Sequence, residues 1–194
     1  MNFTQADKLD FDPRPQMGEI FVDGFGQHMS VFSRDKKRLT RAFAHIFNLS
    51  DFYVAHENGI IKAMTACTSG AAPVRFDKAA CQRELGFLRG WLAYSQLTKF
   101  VVEHKFPFEF AENMGRIEIV ATAAAFRGQG AAFGLIGRIM EITPFEEYVL
   151  EVVNDNYAAI RLYEKLGFAV FTEASVPWYV RRFLAGFLYM KCGK

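Results

Sequence analysis

Phe126-Arg127-Gly128-Gln129-Gly130-Ala131-Ala132 is the stretch on which the reading of this chain turns. An apolar, β-branched run precedes it (Ile117, Ile119, Val120). Apolar residues at helical spacing follow it (Phe133, Leu135, Ile136, Ile139, Met140). A strand, a glycine turn and a helix N-terminus therefore lie in succession. The first amides of a helix have no intrahelical acceptor, and the positive end of the helix dipole adds to them. Such a junction suits a phosphate or pyrophosphate. Gly128 and Gly130 let the backbone approach the anion with no Cβ in the way. An ordinary strand-to-helix turn that contains two glycines is the alternative at this point.

Two familiar phosphate loops do not fit. A Walker-type loop needs Lys-Ser/Thr after its last glycine, and Gly130 is followed by Ala131 and Ala132. A dinucleotide fingerprint needs a third glycine where Phe133 stands, and expects the loop in the first βα unit.

Arg127-x-x-Gly130-x-Ala132 resembles the acyl-CoA loop of the GNAT acetyltransferase superfamily, Arg/Gln-x-x-Gly-x-Gly/Ala. A second segment, Asn156-Tyr157-Ala158-Ala159-Ile160-Arg161-Leu162-Tyr163-Glu164-Lys165-Leu166-Gly167-Phe168, is similar to the later motif of that family. Order and spacing match too, and Tyr148–Val153 reads as the strand expected between them. The resemblance is strong from about Ile117 to Phe171 and matches the first half only in outline.

The resemblance implies an α/β protein with a mixed sheet, the GNAT acyl-CoA N-acyltransferase fold, over residues 1–194 as a single domain. In that fold two parallel strands splay apart and admit acyl-CoA. Residues 70–115 depart from the simple pattern, in which a short turn joins two strands, and are expected to be a helical insert. The implied activity is acetyl transfer from acetyl-CoA, as cosubstrate, to a primary amine of a small molecule or peptide. The alternative is a catalytically inactive member that binds acyl-CoA and regulates a partner. A nucleotide-binding α/β protein is a third reading.

The resemblance also implies site residues. Backbone amides from Arg127, Gly128, Gln129, Gly130, Ala131 and Ala132 hold the pyrophosphate. Backbone groups of Val120, Ala121 and Thr122 pair with the pantetheine arm. Asn156 contacts the cofactor, and it also suits a helix N-cap. Tyr163 is the expected acid for the leaving thiolate, since a phenol has a reference pKa of about 10. Its helical spacing with Ala159, Leu162 and Leu166 makes a packing role the alternative. Glu118 is the expected base. Simple alternation sets it with Val120 and Thr122, opposite Ile117 and Ile119. His28, Glu57, Glu109 and Glu112 are fallback bases. Trp91, Tyr94, Phe106, Phe108 and Phe110 of the insert are expected either to wall an acceptor pocket or to pack the insert onto the sheet.

Composition narrows the rest. The chain has 194 residues, is 51% hydrophobic and carries a net charge of +2. That is ample for a packed core. Lys36-Lys37-Arg38 and Arg181-Arg182 are too short to mark a nucleic-acid surface. Three scattered cysteines give no disulfide framework and no metal spacing. Cys67 and Cys192 are expected as buried thiols in a reducing, cytoplasmic setting. The start lacks the basic-then-apolar layout of a signal peptide. Arg89, Gln96 and Lys99 interrupt the longest apolar region, so no membrane span is expected. A homodimer is expected if the apolar Phe183–Met190 run leaves an exposed edge.

Local signals set the elements. Glu57-Asn58-Gly59 predicts a hairpin between strands at Phe52–Ala55 and Ile60–Met64. Ser33 is the expected N-cap of a helix over Arg34–Phe47, and one helix is expected from Asp77 to about His104.

Overall fold

Seven strands form one sheet: β1 (Asn2–Gln5), β2 (Phe52–Glu57), β3 (Ile60–Thr68), β4 (Met114–Thr122), β5 (Glu147–Val153), β6 (Ala169–Ala174) and β7 (Phe187–Gly193). The computed structural model describes residues 1–102, 106–175 and 186–194, without the side chains of residues 27, 28 and 100. The strand order is β1-β2-β3-β4-β5-β7-β6. Only β4 and β5 run parallel; every other neighbouring pair is antiparallel. The β2–β3 hairpin turns at Asn58 and Gly59, with φ of 51° and 76°. Asn and Gly tolerate that left-handed pair better than other residues.

The helices are α1 (Arg14–Met29), α2 (Lys36–Phe43), α3 (Lys78–Leu85), α4 (Phe87–Leu97), α5 (Ala131–Ile142) and α6 (Tyr157–Lys165). Helices α1 to α4 cover one face. Met17, Phe21, Leu39, Phe43, Leu85 and Ala93 pack there with Phe52, Val54 and Met64 of the sheet. Helices α5 and α6 cover the other face, where Leu135, Ile136, Ile139 and Tyr163 meet Ile117, Tyr148, Leu150 and Met190. The expected mixed sheet with helices on both faces is present.

Several local expectations change. Asp35, not Ser33, caps α2: its Oδ1 accepts from the Arg38 amide at 3.2 Å. Ser33 Oγ instead accepts from the Asp35 amide at 3.1 Å. The helix stops at Phe43, although Ile46 and Phe47 remain buried beyond its end. The helix expected from Asp77 is two helices. Gly86, at φ 86° and ψ 162°, breaks it with a conformation that L-residues avoid. A wider turn at Thr98–Val102 ends α4, and His104 lies outside the described residues.

The described part of the C-terminal apolar run, residues 186–190, is not an edge of the sheet. Strand β7 lies inside the sheet between β5 and β6, so Tyr189 and Met190 are buried. Arg181, Arg182 and Phe183 lie outside the described residues. Cys67 is buried as expected. Cys192 is only half-buried, because β7 ends there, and Cys81 is buried as well. Among the described residues no helix is long and apolar enough to cross a membrane, and no cluster of His, Cys, Asp and Glu could hold a metal ion.

Candidate active site

Strands β4 and β5 pair from Met114↔Glu147 to Ile117↔Leu150 and then part. Both continue, to Thr122 and Val153. On the other side of β4, Met64 pairs with Ala121 while Ala66 pairs with Glu118. Two steps along β3 thus face three along β4, which is a β-bulge. The extra residue bends the bulged strand. Ile119 stands in the bulge at φ 52°, a left-handed conformation costly for a β-branched residue. The buried Thr65 hydroxyl donates to the Glu118 carbonyl at 2.9 Å and pins the distortion. The bulge therefore opens a notch in the middle of the sheet.

The bulge also overturns the expected alternation. Glu118 and Ile119 both border the cavity on the α1/α4 face, while Val120 packs with the α5/α6 core. One inserted residue reverses the parity of everything after it.

That cavity measures about 690 Å³. Phe21 and Phe25 of α1, Leu92 and Leu97 of α4, and Phe76 line it. The sheet contributes Arg116, Glu118 and Ile119 from β4, and Glu151 from β5. Arg116 is buried and forms an ion pair with Glu118. Its guanidinium carbon lies 4.1 Å from the centre of the Phe106 ring. Burial pulls the Arg116 pKa down, and Glu118, Glu151 and Tyr189 oppose that shift. Burial, with Glu151 beside it, raises the Tyr189 phenol well above its usual value, and the two side chains share a hydrogen bond. Among the described residues, two carboxylates and one guanidinium thus sit at the notch on a largely apolar wall that also holds Gln96. Reasoning from sequence missed Arg116, Glu151 and Tyr189. The signal for the first two was charge inside apolar strands, Arg116-x-Glu118 in β4 and Glu151 alone within Tyr148–Val153, and Tyr189 carried none.

Beyond β4 lies the glycine loop. Gly128 has φ 75° and Gly130 φ 78°. Gly130 is the N-cap of α5 and uses no side-chain cap. Among the described residues, no backbone carbonyl accepts from the amides of Gly128, Gly130, Ala131 or Ala132. The loop from Arg127 to Gly130 is exposed. These orphan donors and the dipole of a twelve-residue helix converge on open solvent, as an anion cradle requires. Arg127 turns aside: its Nη2 donates to Asp23 Oδ2 at 2.7 Å and its Nε to the Thr122 carbonyl at 3.3 Å.

The acetyltransferase (GNAT) family model matches residues 83–168, from α3 to the start of β6. Solved structures resemble the whole chain. An N-acetyltransferase from Staphylococcus aureus Mu50 has a TM-score of 0.64 at 17% identity, covering 99% of this chain and 100% of its own. A protein from Pyrococcus horikoshii OT3 has a TM-score of 0.59 at 15% identity, covering 100% and 98%. A ribosomal-protein-alanine N-acetyltransferase from Brucella melitensis has 0.58 at 15% identity, covering 100% of both chains. The chain has the GNAT acetyltransferase fold. No curated protein matches it significantly.

Within the GNAT frame the remaining expected residues separate. Asn156 is the N-cap of α6, its Oδ1 accepting from the Ala159 amide at 3.2 Å. Tyr163 projects from α6 into the apolar layer, 5% exposed, with the Phe168 ring centre 6.1 Å away. Burial pushes its phenol well above the usual value. It lies off the cavity that Glu118 borders. Of the fallback bases, Glu57 lies in the β2–β3 hairpin and pairs with Lys62 at 2.6 Å and the N-terminal amine at 3.0 Å. Those partners lower its pKa to about 2. Glu109 and Glu112 are exposed and away from the cavity. His28 lies in α1, and its side chain is outside the described residues. Residues 70–115 hold α3 and α4, as the helical insert required. Phe106 walls the cavity, but Trp91 is half-exposed and Tyr94 packs against the core instead. Phe108 meets Phe106 tilted at a centroid distance of 5.5 Å and Phe110 meets it edge-on at 5.0 Å, and neither lines the cavity.

Proposed function

We propose that the protein is an acetyl-CoA-dependent N-acetyltransferase acting on a primary amine of a small molecule or peptide. The observation that carries this reading is the notch. It lies where β4 leaves β5, between a cavity bordered by Glu118 and Glu151 on the α1/α4 side and the exposed amide cradle that follows β4 on the α5 side. A long cosubstrate held at one end by phosphate and reacting at the other needs such a passage.

In this reading the amides of Arg127 to Ala132 hold the pyrophosphate, and Asn156 adds a polar contact. Backbone groups of Val120, Ala121 and Thr122, on the edge that β5 has left, align the pantetheine arm. Glu118 takes one proton from the bound ammonium. The freed lone pair forms the new C–N bond at the thioester carbonyl, the C–S bond breaks, and Tyr163 protonates the departing thiolate. As the amide forms, the amine's second proton passes through water to the Tyr163 phenolate, and Glu118 releases the first proton to solvent, so both groups are reset. Raised by burial, Tyr163 stays protonated and available near neutral pH.

Thiol release from acetyl-CoA across a panel of primary amines tests the reading. Turnover on at least one amine is expected, with an N-acetyl product by mass. The second reading, acyl-CoA binding without turnover, is favoured by the depth at which Tyr163 is buried. Tight CoA binding with no thiol release on any amine would establish it.

A further inference from the structure

Two surface features meet at the joint between α3 and α4. Gly86 joins the two helices directly, and Gly90 and Ala93 of α4 are buried. Phe87, Leu88 and Trp91 are left facing solvent, 75%, 74% and 50% exposed. None of the three lines the cavity. Their apolar area is on the order of 400 Å², enough to mark an interaction site but about half of what each partner of a stable dimer buries. Cations gather beside this tip. Arg41 and Arg83 both pair with Glu84, at 2.9 and 3.8 Å, and Arg38 donates to the Glu84 carbonyl. One carboxylate thus stands among three guanidiniums, and Arg89 is exposed in the first turn of α4. Residues 34–41 and 75–99 hold ten Lys or Arg and three Asp or Glu, while the whole chain carries +2. Lys36 of that set pairs with Asp23 of α1.

We propose that this face docks on an anionic lipid bilayer, independently of any acetyl transfer. Phe87, Leu88 and Trp91 enter the headgroup layer, where acyl chains take the apolar atoms and an indole favours the interface. Arg41, Arg83 and Arg89 meet lipid phosphates and carboxylates beside them. The contact is peripheral: among the described residues no helix is long and apolar enough to cross a membrane. A second copy fits less well. Two-fold pairing of these tips would bring the arginines of one copy toward those of the other, over too small an area. A nucleic-acid strand would stack on the two rings but leave Leu88 wet.

The test is co-sedimentation of the full chain with vesicles of phosphatidylcholine containing about one-quarter phosphatidylserine, against phosphatidylcholine alone. Binding to the anionic vesicles is expected to be at least about tenfold tighter and to weaken with added salt. Arg83→Gln combined with Arg89→Gln should weaken it by about 25-fold, roughly fivefold for each cation. Phe87→Ser combined with Leu88→Ser should weaken it by at least about tenfold. All four side chains are exposed, so the thermal midpoints of both variants should stay within about 2 °C of the native chain. Equal binding to both kinds of vesicle, binding to neither, or variants that bind like the native chain overturn the proposal. Two other results overturn it by reassigning the face. A concentration-dependent dimer that Phe87→Ser with Leu88→Ser abolishes, with no vesicle binding, gives the face to a second copy. A single-stranded oligonucleotide bound through Arg83 and Arg89, with no vesicle binding, gives it to nucleic acid.

Discussion

Arg127 Nη2 lies 2.7 Å from Asp23 Oδ2, and this pair ties the glycine loop to helix α1. Asp23 also accepts from Lys36 Nζ at 2.9 Å. Lys36 first, and Arg127 after it, hold the Asp23 carboxyl below its ordinary value. The pair is half-exposed on the arginine side, so its contribution to stability is about 0–1 kcal/mol. Arg127→Ala is expected to weaken CoA by no more than about tenfold, since one surface charge is lost while the amides remain. Asp23→Asn frees the guanidinium and is expected to leave CoA affinity equal or slightly higher. Calorimetry with CoA on both variants checks the signs. A drop of about a hundredfold for Arg127→Ala would make its side chain, not the backbone, the principal phosphate ligand.

Gly130→Asp is a sharper probe of the loop. A Cβ at Gly130 meets nothing within 4 Å, so steric clash is not the issue. The φ of 78° costs an L-residue about 1 kcal/mol, and Asp is among those that tolerate it best. The variant should fold. Its carboxylate would stand at the orphan amides and repel a pyrophosphate. CoA affinity is expected to fall by more than about a hundredfold, and unchanged affinity in the folded variant would remove the anion site from this loop.

Gly90 answers to a different constraint. A Cβ there would lie 2.4 Å from Gln82 Cα and 2.5 Å from the Cys81 carbonyl oxygen. Both are backbone atoms of α3 and cannot swing away. Gly90→Ala should cost about 1–3 kcal/mol, read by urea denaturation. Gly137→Ala on α5 is the control: the nearest atom is Leu166 Cδ2 at 3.9 Å, and helix propensity predicts a gain of about 0.5–1 kcal/mol.

The legible parts of this fold were local. The glycine loop, the Asn-Gly hairpin and the capping Asn156 are each specified by neighbours in sequence, through turn conformation and helix-end hydrogen bonding. The cavity draws on α1, α4, β4 and β5, which no short window contains. The bulge at Ile119 was hidden for another reason. Nothing in Ile117-Glu118-Ile119-Val120 marks an extra residue, because the distortion arises from pairing with β3 and the Thr65 hydroxyl. Alternation therefore misplaced Ile119 and Val120 while setting Glu118 correctly opposite Ile117.

His45 makes stability depend on pH. Its Nε2 accepts from the Asp77 amide at 3.2 Å, which requires the neutral ring, beside the N-cap of α3. Burial lowers its pKa from 6.5, with Arg83 acting the same way and Asp77 opposing. The unfolded chain therefore takes up the proton first as pH falls. The stabilisation is complete above about pH 6.5 and is lost as pH falls through the folded value. His45→Asn keeps an acceptor and cannot titrate. Thermal midpoints between pH 5 and pH 8 should fall more steeply toward acid in the native chain than in this variant. Parallel curves would show that His45 does not carry the slope.

Tyr163→Phe distinguishes chemistry from packing at the position where the two readings compete. The side chain is 5% exposed and its ring packs against Phe168, contacts that phenylalanine retains. Stability should move by less than about 0.5 kcal/mol, since no hydrogen bond anchors the hydroxyl among the described residues. If the hydroxyl delivers the proton to the thiolate, kcat falls by about a hundredfold while KM for acetyl-CoA stays within about twofold. In that case the native chain should lose no activity through this phenol between pH 7 and pH 9, because burial keeps it protonated there. A Tyr163→Phe variant with native kcat would make the tyrosine a core residue and pass the acid role elsewhere, with Tyr189, hydrogen-bonded to the cavity-lining Glu151, the next to test.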